Sequence, residues 1–242
     1  MLHKQSLNFA AATMLALTAA APAALLVAEF VPDPSGTDVD REWFEIYNSG
    51  TTAIDLTGYA AGDGTNPTNT ASGEGMGVFP AGSSIDPGQV IVIAANALGF
   101  ESLYGFAPNY EFAKSTSTLG NNAAVPDLTQ KEGWGSANGT LALANTGDDV
   151  AILTPESTAD AFTFVDGANH GNITTFYTGA ATLAPNQSYE RVPADIDTNA
   201  LSDFTIRASG AATPGVVTVP EPAAMLSLAG VGAMLIARRR RA

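Results

Sequence analysis

The chain has 242 residues, with 24 Asp or Glu against ten Lys or Arg, a formal charge of −14 and no cysteine. Without cysteine there is no disulfide framework, thiolate metal site or thiol nucleophile, so an apolar core must supply the stability. The acidic balance repels phosphate backbones and speaks against nucleic-acid binding through a basic groove.

The first residues carry His3 and Lys4, followed by an alanine- and leucine-rich run over Leu7–Ala21. Ala21-Pro22-Ala23-Ala24 then supplies the small residues a signal peptidase needs. Residues 1–24 are expected to be a signal peptide, and the chain to be exported. Between Ala24 and Pro222 lie all 24 acidic residues but only five basic ones, Arg41, Lys114, Lys131, Arg191 and Arg207, a formal −19. Such a charge favours solubility and admits divalent cations or basic partners.

Residues 25–216 are expected to form one domain. Long helical periodicity is absent; short apolar or alternating runs separated by Gly, Pro, Asn, Asp and Thr predict strands and turns. The predicted strands are Leu25–Val31, Trp43–Tyr47, Ala53–Leu56, Tyr59–Ala61, Val90–Ala94, Leu141–Ala144, Val150–Thr154, Phe162–Val165, Tyr189–Val192 and Phe204–Arg207. In the second of these, Phe44 and Ile46 face one way and Trp43, Glu45 and Tyr47 the other. Asn145-Thr146-Gly147-Asp148 suits a hairpin turn. Only Ala97–Tyr104 looks helical. Two polar stretches, 62–77 and 107–139, are expected to be long loops outside the core. Many short strands at this spacing predict an all-β sandwich.

The last segment has three parts in order: Pro220-Glu221-Pro222, an uncharged apolar run over Ala223–Ala237, and Arg238, Arg239, Arg240 and Arg241. Apolar residues partition into the bilayer while clustered positive charge resists translocation. As a helix, the run's fifteen residues reach about 22 Å, short of the roughly 30 Å hydrocarbon core. That length suits a short transmembrane segment that is recognised and cut. The arrangement over 217–242 resembles the PEP-CTERM sorting signal of bacterial exported proteins. The resemblance implies processing by an exosortase, with membrane attachment beforehand.

Leu26-Val27-Ala28-Glu29-Phe30-Val31-Pro32-Asp33-Pro34-Ser35-Gly36, then Glu42-Trp43-Phe44-Glu45-Ile46-Tyr47-Asn48, is similar to the start of bacterial lamin-tail domains. Asp55-Leu56-Thr57-Gly58-Tyr59 resembles that family's DLSGW turn. Phe79-Pro80-Ala81-Gly82, Ile85-Asp86-Pro87-Gly88-Gln89, Leu143–Val150 and Ser188-Tyr189-Glu190-Arg191-Val192-Pro193 continue the series in order. The resemblance implies an immunoglobulin-like β-sandwich with no catalytic constellation of its own. The two long polar stretches depart from the family's compact pattern.

Catalytic chemistry finds little support in the residues. After signal removal His170 is the only histidine, expected at the surface of a loop, and no Gly-x-Ser-x-Gly elbow exists. A zinc site lacks cysteine and a second histidine. Calcium is the one cation with candidate ligands: Asp33, Asp38 and Asp40 in one stretch, and Asp195, Asp197 and Asn199 in another. The same residues also serve as ordinary turn formers. Glu42 and Glu45 flank Trp43 and Phe44, Arg191 follows Glu190 in another strand, and a cross-strand Glu–Arg pair between such strands is expected to be structural. No other cofactor is expected.

The reading is a non-catalytic exported protein, structural or adhesive, at the cell surface or in the extracellular matrix. Its partners would be an exosortase, the membrane before processing, and exopolysaccharide or other surface proteins. Two alternatives stay open: a calcium-dependent carbohydrate-binding module, and an accessory to a secreted hydrolase or nuclease.

Overall fold

The computed structural model describes residues 25–63, 75–112, 119–134 and 140–220. The expected signal peptide over 1–24 and the run from Glu221 onward, with Pro222 and Arg238 to Arg241, lie outside those residues. Among the described residues thirteen strands and one α-helix follow in chain order: β1 (Leu25–Val31), β2 (Trp43–Asn48), β3 (Ile54–Asp55), β4 (Ala60–Gly62), β5 (Met76–Val78), β6 (Ser84–Ile85), β7 (Val90–Ala94), α1 (Ala97–Tyr104), β8 (Tyr110–Phe112), β9 (Asp127–Gln130), β10 (Asp149–Leu153), β11 (Phe164–Asn169), β12 (Tyr189–Arg191) and β13 (Phe204–Ile206).

Eleven strands form one sheet in the order β11-β10-β4-β5-β9-β8-β7-β2-β1-β12-β13, and β3 pairs with β6 in a separate ribbon. Pairing is antiparallel except at β7–β8 and β8–β9. The sheet curls until β10 and β11 pack across β1 without pairing with it. This gives the two layers of an all-β, immunoglobulin-like sandwich. Phe30, Phe44, Ile46 and Ile93 from one layer meet Ala61, Val150, Ile152 and Ala168 from the other in a common core. Each large apolar side chain so buried contributes about 1.5–3 kcal/mol.

β1 and β2 are buried along their whole length. The alternation in β2 explains how. Phe44 and Ile46 enter the main core, while Trp43 turns to a second cluster with Phe100 and Val92. Helix α1 covers that cluster. Asn96 caps its start by accepting from Gly99 N–H at 3.0 Å, and Gly105 ends it at φ 76°, a conformation glycine adopts without strain. Trp43 Nε1 donates to Tyr104 Oη at 3.0 Å.

The structure corrects the sequence reading of the strands, turn and loops in four places. Leu141–Ala144 is not a strand, because its N–H groups bond to carboxylates instead of a neighbouring strand. Ala142 N donates to Asp63 Oδ2 at 2.6 Å, Leu143 N to Glu42 Oε2 at 3.0 Å and Ala144 N to Asp148 Oδ2 at 2.7 Å. The Asn145–Asp148 turn therefore leads into β10 without closing a two-stranded hairpin. The polar stretches are not wholly outside the core: β5, β8 and β9 come from them and join the two halves of the sheet. Residues 64–74, 113–118 and 135–139 of those stretches lie outside the described ones. Finally, the strand predicted at Phe162–Val165 is shifted to Phe164–Asn169.

Candidate functional site

Three glutamates stand side by side on β2, β1 and β12, next to the β13 edge of the sheet. Glu29 of β1 is the register partner of Glu190 in β12 and of Glu45 in β2. All three are buried. Removal from water pushes Glu29 above the usual carboxylate range, and Glu45 well above it, with the neighbouring glutamate charges adding to both.

The polypeptide after β13 crosses this row as a strap. Arg207 Nε donates to Glu190 Oε2. Thr213 N–H donates to Glu29 Oε2 at 3.0 Å, and Gly215 N–H to Glu45 Oε2 at 2.8 Å. Thr218 Oγ1 reaches Glu190 Oε1 at 3.4 Å, and Ala194 N–H donates to the Thr218 carbonyl at 2.9 Å. Ser188 Oγ satisfies the other oxygen of Glu29. Ala212 packs against the Trp43 cluster, and Val217 against Ala28, Tyr47 and Ala194. The strap thus delivers the chain to Pro220, which is half-buried at the edge of the domain.

A second polar knot holds the two layers together. Arg191, fully buried, donates from Nη2 to Asp166 Oδ2 at 2.7 Å and from Nε to the Val27 carbonyl at 2.9 Å. Val27 N–H donates to the same Asp166 oxygen at 2.7 Å. Val27 has free backbone groups because β1 shifts register between Val27 and Glu29. Arg191 also meets Asp197 Oδ1 at 3.1 Å and Asp203 Oδ2 at 3.6 Å, and its guanidinium lies 4.6 Å from the Phe204 ring centroid. Burial lifts Asp166 to about 6, while the Arg191 charge and the N–H groups pull it down.

The calcium candidates are distributed differently from the sequence pattern. Asp33 is half-buried and pushed above its ordinary value by burial, with Asp38 adding to the effect. Asp38 Oδ2 accepts from Asn145 at 3.0 Å, and Asp40 is buried in one turn of 3-10 helix. Asp195 is exposed, whereas Asp197 Oδ1 accepts from both Arg191 and the Asn199 N–H. Among the described residues no three acidic or histidine side chains are grouped so as to hold a metal ion.

His170 is the other correction. It is fully buried beside Phe30, not exposed, and desolvation lowers it to about 4, with Ala144 acting in the opposite direction. It is a neutral part of the core at physiological pH.

Sequence reasoning missed the glutamate row and its strap. The signal was present for two of the three: Glu29 and Glu45 interrupt apolar or aromatic runs, in LLVAEFV and WFEIY, whereas Glu190 stands in the mixed segment SYER. A charged residue inside such a run needs a partner from elsewhere in the chain.

Among the described residues no helix is long and apolar enough to cross a membrane. The model of the lamin tail domain family matches residues 18–166, and that of the PEP-CTERM protein-sorting motif matches residues 218–241. No curated protein matches the chain. The fold is similar to the crystal structure of a DUF4876 family protein from Bacteroides thetaiotaomicron. That likeness has a TM-score of 0.55 at 14% identity and covers 83% of this chain and 75% of that one. At that identity it speaks for the fold alone. With its first family match spanning more than half of its length, the chain belongs to the lamin tail domain family, and its PEP-CTERM motif marks it as an exported, exosortase-sorted protein.

Proposed function

We propose that this protein is a non-catalytic structural or adhesive module, presented at the cell surface or released into the extracellular matrix once its tail has been processed. One observation carries the reading: the charged side chains buried at the centre of this sandwich bond to its own backbone and to one another. Glu29, Glu45 and Glu190 hold the strap, Asp166 and Arg191 join the layers, and Glu42, Asp63 and Asp148 support the 142–144 backbone. The one histidine of the domain is neutral and walled in. Fold does not fix function, so binding decides it. The processed domain is expected to be retained by exopolysaccharide or surface material from its own source, and to give blank hydrolase and nuclease assays. Turnover of any ester, glycoside or nucleic acid above a heat-killed control would contradict this.

A second reading, calcium at Asp33, Asp38 and Asp40, is favoured by one feature. Asp40 Oδ1 is buried without a hydrogen-bond partner, in a stretch where Asp33 and Asp38 repel each other. A hard cation would have to draw these oxygens together. Asp195, Asp197 and Asn199 would have to give up the Arg191 contact to do the same. Calorimetry with millimolar calcium separates the cases, since heat that is lost in Asp40→Asn would establish the site. Glycan binding with and without chelator then tests a calcium-dependent carbohydrate-binding role.

A further inference from the structure

The strap has a defined shape. Thr213-Pro214-Gly215-Val216 turns back on itself, with Val216 N–H donating to the Thr213 carbonyl at 3.0 Å and Gly215 at φ 82°. Proline second and a left-handed glycine third is the type II turn. The turn aims two successive free N–H groups, those of Thr213 and Gly215, at Glu29 and Glu45. Beyond it Val217 is seated on Ala28, Tyr47 and Ala194, and Thr218 is held on both its carbonyl and its hydroxyl. Thr218 is the last residue of the strap bonded to the sheet among the described residues, and it stands two positions before Pro220. Two extended residues span at most about 7 Å, and the five from Thr218 to Ala223 at most about 18 Å.

We infer that residues 213–218 are a latch on tail processing: while they lie on the glutamate row, the backbone leading into Pro220 is held by the domain and is not free for a processing enzyme to grip. The inference rests on the sorting role of residues 218–241. Enzymes and domains that bind extended peptides do so largely through main-chain hydrogen bonds to several consecutive residues. Here the Thr213 and Gly215 N–H groups and the Thr218 carbonyl are already bonded to the domain. Docking on the sheet and docking in a cleft compete for the same atoms. The processing rate is then scaled by the fraction of molecules with the strap released.

The test follows loss of the tail by pulse-chase, using the full-length chain in cells that export and process it. Val217→Asp places a charge in the apolar seat of the latch and leaves the main core untouched. A second variant inserts Gly-Ser-Gly-Ser between Val219 and Pro220, which leaves the latch docked but lengthens the free peptide. Pro220→Ala with Pro222→Ala, in each background, reports whether removal depends on the motif. The latch predicts tail loss about three- to tenfold faster in both of the first two variants, with the double proline change blocking it. It also predicts that the Thr213 and Gly215 amides exchange faster in Val217→Asp while amides of β1 and β2 stay protected. Wild-type rates in both variants, with motif-dependent removal intact, overturn the latch and leave the sorting role standing. Removal that ignores the proline changes, or that never occurs, overturns the sorting role and the latch with it.

Discussion

Arg191 Nη2 and Asp166 Oδ2 lie 2.7 Å apart across the two layers, and Val27 N–H meets the same oxygen at 2.7 Å. One carboxylate thus joins β11, β12 and the register shift in β1. The ion pair sits where the sheet has curled over on itself, so the sandwich is closed there by polar contacts as well as by its core.

Removing the cation from this knot leaves Asp166 and Asp203 buried without their counter-charge. Arg191→Leu is expected to destabilise the domain by about 3–5 kcal/mol. Arg191→Lys is expected to recover only part of that, because an ammonium cannot span Val27, Asp166 and Asp197 with one planar fork. Urea unfolding of the three proteins measures both values, and a lysine variant equal to wild type would contradict the geometry.

Glu42 supplies a pH dependence whose sign is fixed by burial. Its carboxyl is raised from 4.5 to about 9, first by desolvation and then by the charges of Asp63, Asp38 and Asp148. A carboxyl raised on folding contributes stability that is fully present below its unfolded value and is lost as pH climbs through the folded one. The urea midpoint is therefore expected to fall between about pH 5 and pH 9. Glu42→Gln can still accept from Leu143 and has no proton to lose, so its midpoint should fall less steeply. Equal slopes for the two proteins would remove Glu42 as the cause.

At the acid end His170 acts in the opposite sense. Its ring is lowered to about 4 in the fold, from 6.5. The unfolded chain takes up a proton first, so stability falls as pH drops from about 6.5 towards 4. A His170→Phe variant, followed by thermal melts over that range, should lose the part of the acid slope due to this ring.

How far the sequence disclosed the molecule depends on whether a signal was local. The strand Leu25–Val31, the strand Val90–Ala94 and the helix Ala97–Tyr104 have their periodicity and end signals within a few residues, and the structure has them at the same bounds. Leu141–Ala144 has strand composition, yet distant acids, Asp63 and Glu42 among them, take its N–H groups. β8 and β9 are short, three and four residues set in polar surroundings, and their pairing is set by neighbours far along the chain. Trp134, read as part of a polar loop, is buried against Phe162 at a centroid distance of 4.9 Å. The glutamate row needed the register of three strands before its purpose could be seen.

Gly215 separates backbone geometry from packing in the strap. A Cβ there would meet no atom within 4 Å, so the only cost of Gly215→Ala is the left-handed backbone. That cost is about 1 kcal/mol. The strap amides should then exchange about fivefold faster while global stability barely changes. A large drop in the unfolding midpoint would show instead that the strap is part of the cooperative core.

Intact-mass spectrometry of the protein recovered from its own cells and medium bears most directly on the exported, tail-sorted identity. The account predicts a surface or extracellular species that begins near Leu25 and ends close to Pro220–Pro222. An unprocessed molecule of 242 residues dissolved in the cytosol would contradict it.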